Sequence, residues 1–138
     1  MERINDILQR TQFGFLATVE GGSPQVRPFH FQFSAGNKFY FCTSSEKRVF
    51  EQLKQFPFAA FSTYDKSFNY VKLQGTTHFE EHLPLKQRVL DNNPFYADQF
   101  ISAENPCMVL FSLAVDHAEL GRLGEYPPEI IEINVKEF

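Results

Sequence analysis

The sequence predicts a mainly β domain with flanking helices, its strands forming an antiparallel sheet closed into a barrel. Three observations carry this. Six or seven short segments alternate apolar and polar residues with the period of two that a half-buried strand requires. Tight turns join most of them, which suits antiparallel neighbours. Helical segments fall at the ends and in the middle without regular strand–helix alternation, so a doubly wound parallel sheet is not expected.

Each element follows from local pattern. Ile4, Ile7 and Leu8 stand at i, i+3 and i+4, a short amphipathic helix ending near Gln12. Phe13 to Val19 reads as a strand, and Glu20-Gly21-Gly22-Ser23-Pro24 as the turn after it. From Gln25 to Phe33 the alternation puts Phe29, Phe31 and Phe33 on one face and Pro28, His30 and Gln32 on the other. Ser34-Ala35-Gly36-Asn37 turns the chain into a hairpin partner, Lys38 to Thr43. A helix from Glu46 to Lys54 gathers Val49, Phe50 and Leu53 on one face, and Pro57 follows its end. Phe58 to Tyr64 and Tyr70 to Phe79 are two more strands. Pro84 to Leu90 reads as helical, Asn92-Asn93-Pro94 breaks it, and a short helix is expected over Phe95 to Ile101. Met108 to Val115 is a strand, Ala118 to Leu123 a weaker one, and Ile131, Ile133 and Val135 alternate in the tail.

Composition narrows the class. The chain has 138 residues, 17 Phe, 5 Tyr and no Trp, with 43% hydrophobic and 22% charged residues. Such a composition belongs to a folded domain, and the length to one domain spanning 1–138. A net charge of −4 argues against a general nucleic-acid binder, which needs a basic face for phosphates. No apolar run approaches the roughly 20 residues of a membrane span, and the first residues show no signal-peptide pattern. Cys42 and Cys107 stand 65 positions apart in no Cys-x-x-Cys or Cys/His cluster, each reading as a small buried hydrophobe. Together these place the protein in the cytoplasm.

Three features could carry chemistry. Arg27-Pro28-Phe29-His30 and Thr43-Ser44-Ser45-Glu46-Lys47-Arg48 lie on strands expected to form a hairpin. The second segment runs from a strand into a helix, where backbone N–H groups and the helix dipole favour an anion. Hydroxyls of Thr43 and Ser44 and the charges of Lys47, Arg48 and Arg27 suit a phosphate. The same Thr43-x-x-Glu46 also reads as a capping box with no ligand at all. His78-Phe79-Glu80-Glu81-His82 has the look of a metal site, but His78 ends a strand, so the helical i,i+4 geometry fails and Glu80-Glu81 reads as a turn. His30 is a candidate base or a hydrogen-bonded structural residue. No Gly-x-Ser-x-Gly elbow, Walker loop or Rossmann glycine pattern is present, so hydrolase chemistry has no carrier. The aromatic surplus is the third feature: rings that a small barrel cannot absorb need a partner subunit or a flat ligand to cover them.

The order of these motifs resembles a known family. A strand, a Gly-Gly-x-Pro turn, the strand Val26-Arg27-Pro28-Phe29-x-Phe31, a hairpin, Thr43-Ser44-x-x-Lys47, a helix, Phe56-Pro57 and a Val71-x-x-x-Gly75 strand is similar to the pyridoxamine 5′-phosphate oxidase-like flavin-binding split barrels. The likeness is to the small nitroimidazole-resistance-type members and covers roughly positions 4 to 115. It implies a six-stranded antiparallel split barrel and a homodimer holding FMN in grooves between subunits. It also implies that Arg27 pairs with the FMN phosphate and that the backbone of Pro28, Phe29 and His30 runs along the isoalloxazine. Thr43, Ser44 and Lys47 would bind the phosphate, with Arg48 as a further cation. Tyr70 stands where oxidases of the family carry a glutamine near the flavin.

Two departures bear on activity. Gln32 occupies the position of the substrate-contacting lysine, and the Trp- and Arg-containing segment that holds pyridoxal phosphate has no counterpart in Gly124-Glu125-Tyr126-Pro127-Pro128. The sequence therefore disfavours vitamin B6 oxidation. The resemblance implies instead an FMN-dependent oxidoreductase that takes electrons from a donor such as reduced nicotinamide and reduces a small planar acceptor, its redox chemistry supplied by the flavin. The alternative is a non-catalytic flavin-binding or redox-sensing dimer. Relatives of this barrel also take a deazaflavin or haem, and no catalytic acid or base is assigned.

Overall fold

Apolar periodicity at Ile4, Ile7 and Leu8 produces α1 (Glu2–Thr11), which buries those three residues. The computed structural model describes residues 1–133, so the Val135 position of the expected tail alternation lies outside it. After α1 come β1 (Phe13–Glu20), β2 (Ser23–Ala35), β3 (Lys38–Ser44), α2 (Arg48–Gln55), β4 (Phe58–Tyr64) and β5 (Asn69–Glu80). The chain continues with α3 (Leu83–Asn92), α4 (Pro94–Phe100), β6 (Met108–Arg122) and β7 (Glu129–Ile131). No described helix is long and apolar enough to cross a membrane.

All strand pairs are antiparallel, in the order β3-β2-β1-β4-β5-β6-β7, and β3 also pairs with β6. That last pairing closes six strands into a barrel, as the sequence predicts. Strand β7 then continues the edge of β6 beyond β3, pairing at Ala118 to Leu120. The two-residue Gly21-Gly22 turn has positive φ at both positions (56° and 82°), the conformation that a tight hairpin following the sheet twist demands.

Two bulges make the sidedness of the strands depart from simple alternation. Phe31 pairs with Phe41 and Phe33 with Tyr40, so Gln32 is an extra residue on β2. Phe29 and Phe31 face the barrel interior, whereas Phe33 is turned to the outside, which corrects the expected single face of three phenylalanines. Likewise Gly75 pairs with Val115 and Gln74 with His117, leaving Asp116 as the extra residue. The predicted weaker strand at Ala118 is thus the second half of one 15-residue strand. Its inward residues shift from Phe111, Leu113 and Val115 to Ala118 at that bulge. Gly75 is obligatory there, because a Cβ would meet the Ala114 carbonyl oxygen at 2.0 Å.

Two apolar clusters result. The barrel interior packs Phe31, Phe39, Phe41, Phe61 and Phe111 with Ile4, Ile7 and Leu8 from α1 and Val49 and Leu53 from α2. The second lies on the outer face of β3 and β6. There Tyr40, Cys42, Met108 and Leu110 meet Phe33 and are covered by Val89, Leu90 and Phe100 of α3 and α4.

Candidate functional site

The outer cluster is open at one edge, and the candidate site lies at that opening. Strand β2 presents Pro28 and His30 outward, β3 adds Cys42, Thr43 and Ser44, and Lys47 follows at the N-cap of α2. The rim is completed by Phe13 of β1 and by Phe95, Tyr96 and Gln99 of α4. The cavity they share measures about 190 Å³.

Its polar end sits where β3 passes into α2. The helix starts at Arg48 and no side chain caps its N-terminus. The capping box read from Thr43-x-x-Glu46 therefore does not form. The Ser44 hydroxyl instead accepts from the Glu46 N–H at 3.2 Å, and the Glu46 carboxylate turns toward the Cys107 thiol, 3.7 Å away. Cys107 is half-buried rather than sealed in the core. An uncapped helix N-terminus, two hydroxyls and one ammonium form the donor set expected for a phosphate monoester.

Its flat end is aromatic. The His30 ring stacks on Phe13 with centroids 4.3 Å apart and planes 14° apart, and Tyr96 lies beyond it at 6.3 Å. Burial pushes the His30 imidazole below its ordinary value, so it is neutral at pH 7. Burial likewise pushes the Tyr96 phenol up to about 12, with the nearby Cys42 adding to the shift. The Cys42 thiol is also raised to about 12 by burial, against the opposing pull of Lys86 and Lys47. The wall is therefore uncharged at neutral pH, and the positive charge is confined to the Lys47 end.

The structure gathers some expected site residues and separates others. Pro28, Phe29, His30, Thr43, Ser44 and Lys47 line this one cavity. Arg27 points the other way: its guanidinium donates to the Thr18 hydroxyl at 2.7 Å and the Gln52 side-chain Oε1 at 2.6 Å, inside the barrel end. Burial lowers the Arg27 pKa, while Glu20 opposes that shift. Arg48 is paired with Glu20 on the surface. Tyr70 lines a neighbouring hollow of about 370 Å³ with Phe15, Tyr64 and Leu123, joined to the first by their shared residue Phe13. The α4 residues Phe95, Tyr96 and Gln99 were not expected at the site. The sequence shows their helix, but a long-range contact with β2 leaves no local pattern.

The His78–His82 segment is drawn apart. His82 accepts from the Leu85 N–H at the start of α3, and Glu80 accepts from Ser112. Among the described residues, no group of three or more His, Cys, Asp or Glu is arranged for a metal.

Beside the cavity, Phe13 and Phe15 of β1 and Phe58 and Tyr64 of the adjoining β4 share one outer sheet face. They are 63%, 54%, 57% and 56% exposed. That is a contiguous apolar surface of the kind that marks an interaction face.

Solved structures share this architecture. A NimC/NimA family protein from Clostridium acetobutylicum matches with a TM-score of 0.81 and 23% identity, over 95% of this chain and 91% of that one. General Stress Protein 26 from Bacillus anthracis matches at 0.78 and 21%, over 96% and 97%. A pyridoxamine 5′-phosphate oxidase-related, FMN binding protein from Nostoc punctiforme matches at 0.66 and 18%, over 92% and 83%. At these identities the likeness shows the fold. No curated protein matches the sequence. The family model for pyridoxamine 5′-phosphate oxidase matches residues 1–120, and with the barrel and its order of motifs it settles the point: the chain belongs to the pyridoxamine 5′-phosphate oxidase family.

Proposed function

We propose that the protein is an FMN-binding homodimer that works as an oxidoreductase. The single observation behind this reading is the cavity that runs from Thr43, Ser44 and Lys47 at the uncapped start of α2 to the flat wall of Pro28, Phe29 and His30. Its about 190 Å³ is below the roughly 300 Å³ at which ligand sites usually begin. One chain thus builds half a site, and the exposed Phe13–Phe15–Tyr64 face beside it is where a second copy would supply the rest.

In this reading Thr43 and Ser44 donate hydrogen bonds to the flavin phosphate and Lys47 neutralises it. The backbone of Pro28 to His30 lies along the isoalloxazine. Arg27 reaches the phosphate only by leaving Thr18 and Gln52, and Arg48 only by leaving Glu20. Tyr70 faces the ring from the neighbouring hollow. FMN, when bound, supplies the electron transfer, from a donor such as reduced nicotinamide to a small planar acceptor. The chain's own contribution is to hold, orient and shield. Neutral His30 and protonated Tyr96 keep a charge-free wall against the ring, which favours a neutral flavin and a planar substrate stacked on it. Gln32 hydrogen-bonds Asn93 at 2.7 Å, so it offers no cation to a pyridoxal phosphate substrate, and vitamin B6 oxidation is disfavoured.

The test is direct. Purified protein should be yellow or take up FMN, and should sediment as a dimer. Lys47→Met should weaken FMN binding roughly 10–100-fold, as expected for a lost charge-assisted contact. Bleaching of the bound flavin by reduced nicotinamide marks an enzyme, and its absence marks a flavin-binding or redox-sensing module. A colourless protein that ignores added FMN overturns the proposal.

A further inference from the structure

A second cavity is larger than the one at Lys47. It lies on the opposite side of the outer cluster, between α2, the end of β5, α3 and the segment 103–106, and measures about 650 Å³. It shares no lining residue with the first cavity. Its floor is apolar: Phe50 and Phe79 pack with centroids 5.1 Å apart, beside Leu83, Met108 and Leu110.

One lysine with a buried stem lines this apolar space. The Lys86 side chain is only 9% exposed, and its sole carboxylate neighbour among the described residues, Glu81, is 3.6 Å away and 89% exposed. At that distance and exposure the pair is a weak one. The stem is held in the protein while the ammonium at its tip has no close, hydrogen-bonded anion. Lys54 adds a second ammonium from the rim, held over the Phe50 ring at 5.2 Å and 3.8 Å from the Glu51 carboxylate. Glu81 and Glu104 also stand on the lining, so a doubly charged phosphate is disfavoured. One negative charge on an apolar body fits: the charge against Lys86, the body over Phe50 and Phe79.

We propose that this cavity is a second binding site, for an aromatic or otherwise apolar monocarboxylate anchored by Lys86. The site is independent of the flavin reading, since Lys47 and Lys86 open on different cavities.

The probe is 2-naphthoate, titrated into the full chain by calorimetry with and without FMN. Saturable binding is expected in both conditions. The uncharged analogue 2-naphthylmethanol should bind at least about tenfold more weakly, the ratio for one charge-assisted contact. Lys86→Met should show the same tenfold loss for naphthoate, Lys86→Arg should retain it, and Leu83→Trp should abolish it by filling the cavity from its rim. Lys47→Met should bind naphthoate as the parent does, whatever it does to FMN. Absence of saturable binding by the parent, equal affinity for the alcohol, or loss in Lys47→Met with retention in Lys86→Met would overturn the proposal. If Lys86→Met fails to fold, the alcohol comparison and Leu83→Trp decide alone.

Discussion

The two faces of β3 lead into different worlds. Inward, Phe39 and Phe41 enter a sealed aromatic interior closed by all six strands, α1 and α2. Outward, Tyr40 and Cys42 enter a layer covered by α3, α4 and Ala103 of the segment after them, and both candidate cavities open at its edges. The interior ring set is tightly connected: Phe41 lies 4.9 Å from Phe61, 5.5 Å from Phe111 and 6.1 Å from Phe31. The outer layer instead mixes two thiols and two phenols with its apolar residues, and lysines stand at its edges. Stability is concentrated where coverage is complete, and ligand capacity where it stops.

The largest expected effect tests the interior. Phe41→Ala should cost about 4–5 kcal/mol in urea unfolding, because a ring locked among strands leaves a cavity that cannot collapse. Phe100→Ala, in the outer layer, should cost about 3 kcal/mol, since the seven-residue α4 can settle into the space. It should also weaken FMN uptake, because Phe100 lines the first cavity. Equal losses for the two variants would break the contrast.

A smaller effect tests the polar seam at the barrel end. The Thr18 hydroxyl, 2% exposed, donates to Gln52 at 2.5 Å and accepts from Arg27. Thr18→Val should cost about 1–2 kcal/mol, the usual result of leaving part of a buried network unpaired. No loss would mean that Arg27 and Gln52 hold each other without it.

The smallest effect is one of pH. Burial depresses the pKa of His30, so the unfolded chain binds a proton more readily than the folded one. Stability should therefore rise with pH across the window below and around about 6.5. It is fully kept above that window and lost in part as pH falls through it. Urea midpoints at pH 5.5 and 7.5 measure this difference, and His30→Phe should reduce it. An unchanged pH response in that variant would remove His30 from the outer layer's electrostatics.

Much of the fold was legible. The seven-residue strand Phe58–Tyr64 and the break at Asn93-Pro94 coincide with the sequence reading, because period-two alternation and proline act locally. The Gln32 and Asp116 bulges were not legible. An extra residue in a strand leaves no mark until its partner fixes the register, and each bulge then reassigns every side chain after it. At the site, Pro28 to His30 and Thr43 to Lys47 could be paired from the expected hairpin. The α4 rim depends on a contact between positions some 65 residues apart, such as His30 with Tyr96.

The sequence alone determined the strands, the turns, the aromatic surplus and the motif order, since each is written within a few neighbouring residues. Only the tertiary structure decided where the surplus went: into a closed interior, an open outer layer and an exposed β1–β4 face. It also decided that Arg27 turns inward to Thr18 and Gln52 while Lys47 faces the cavity. A side chain's direction is local, but what it meets there is set by residues far away in the chain.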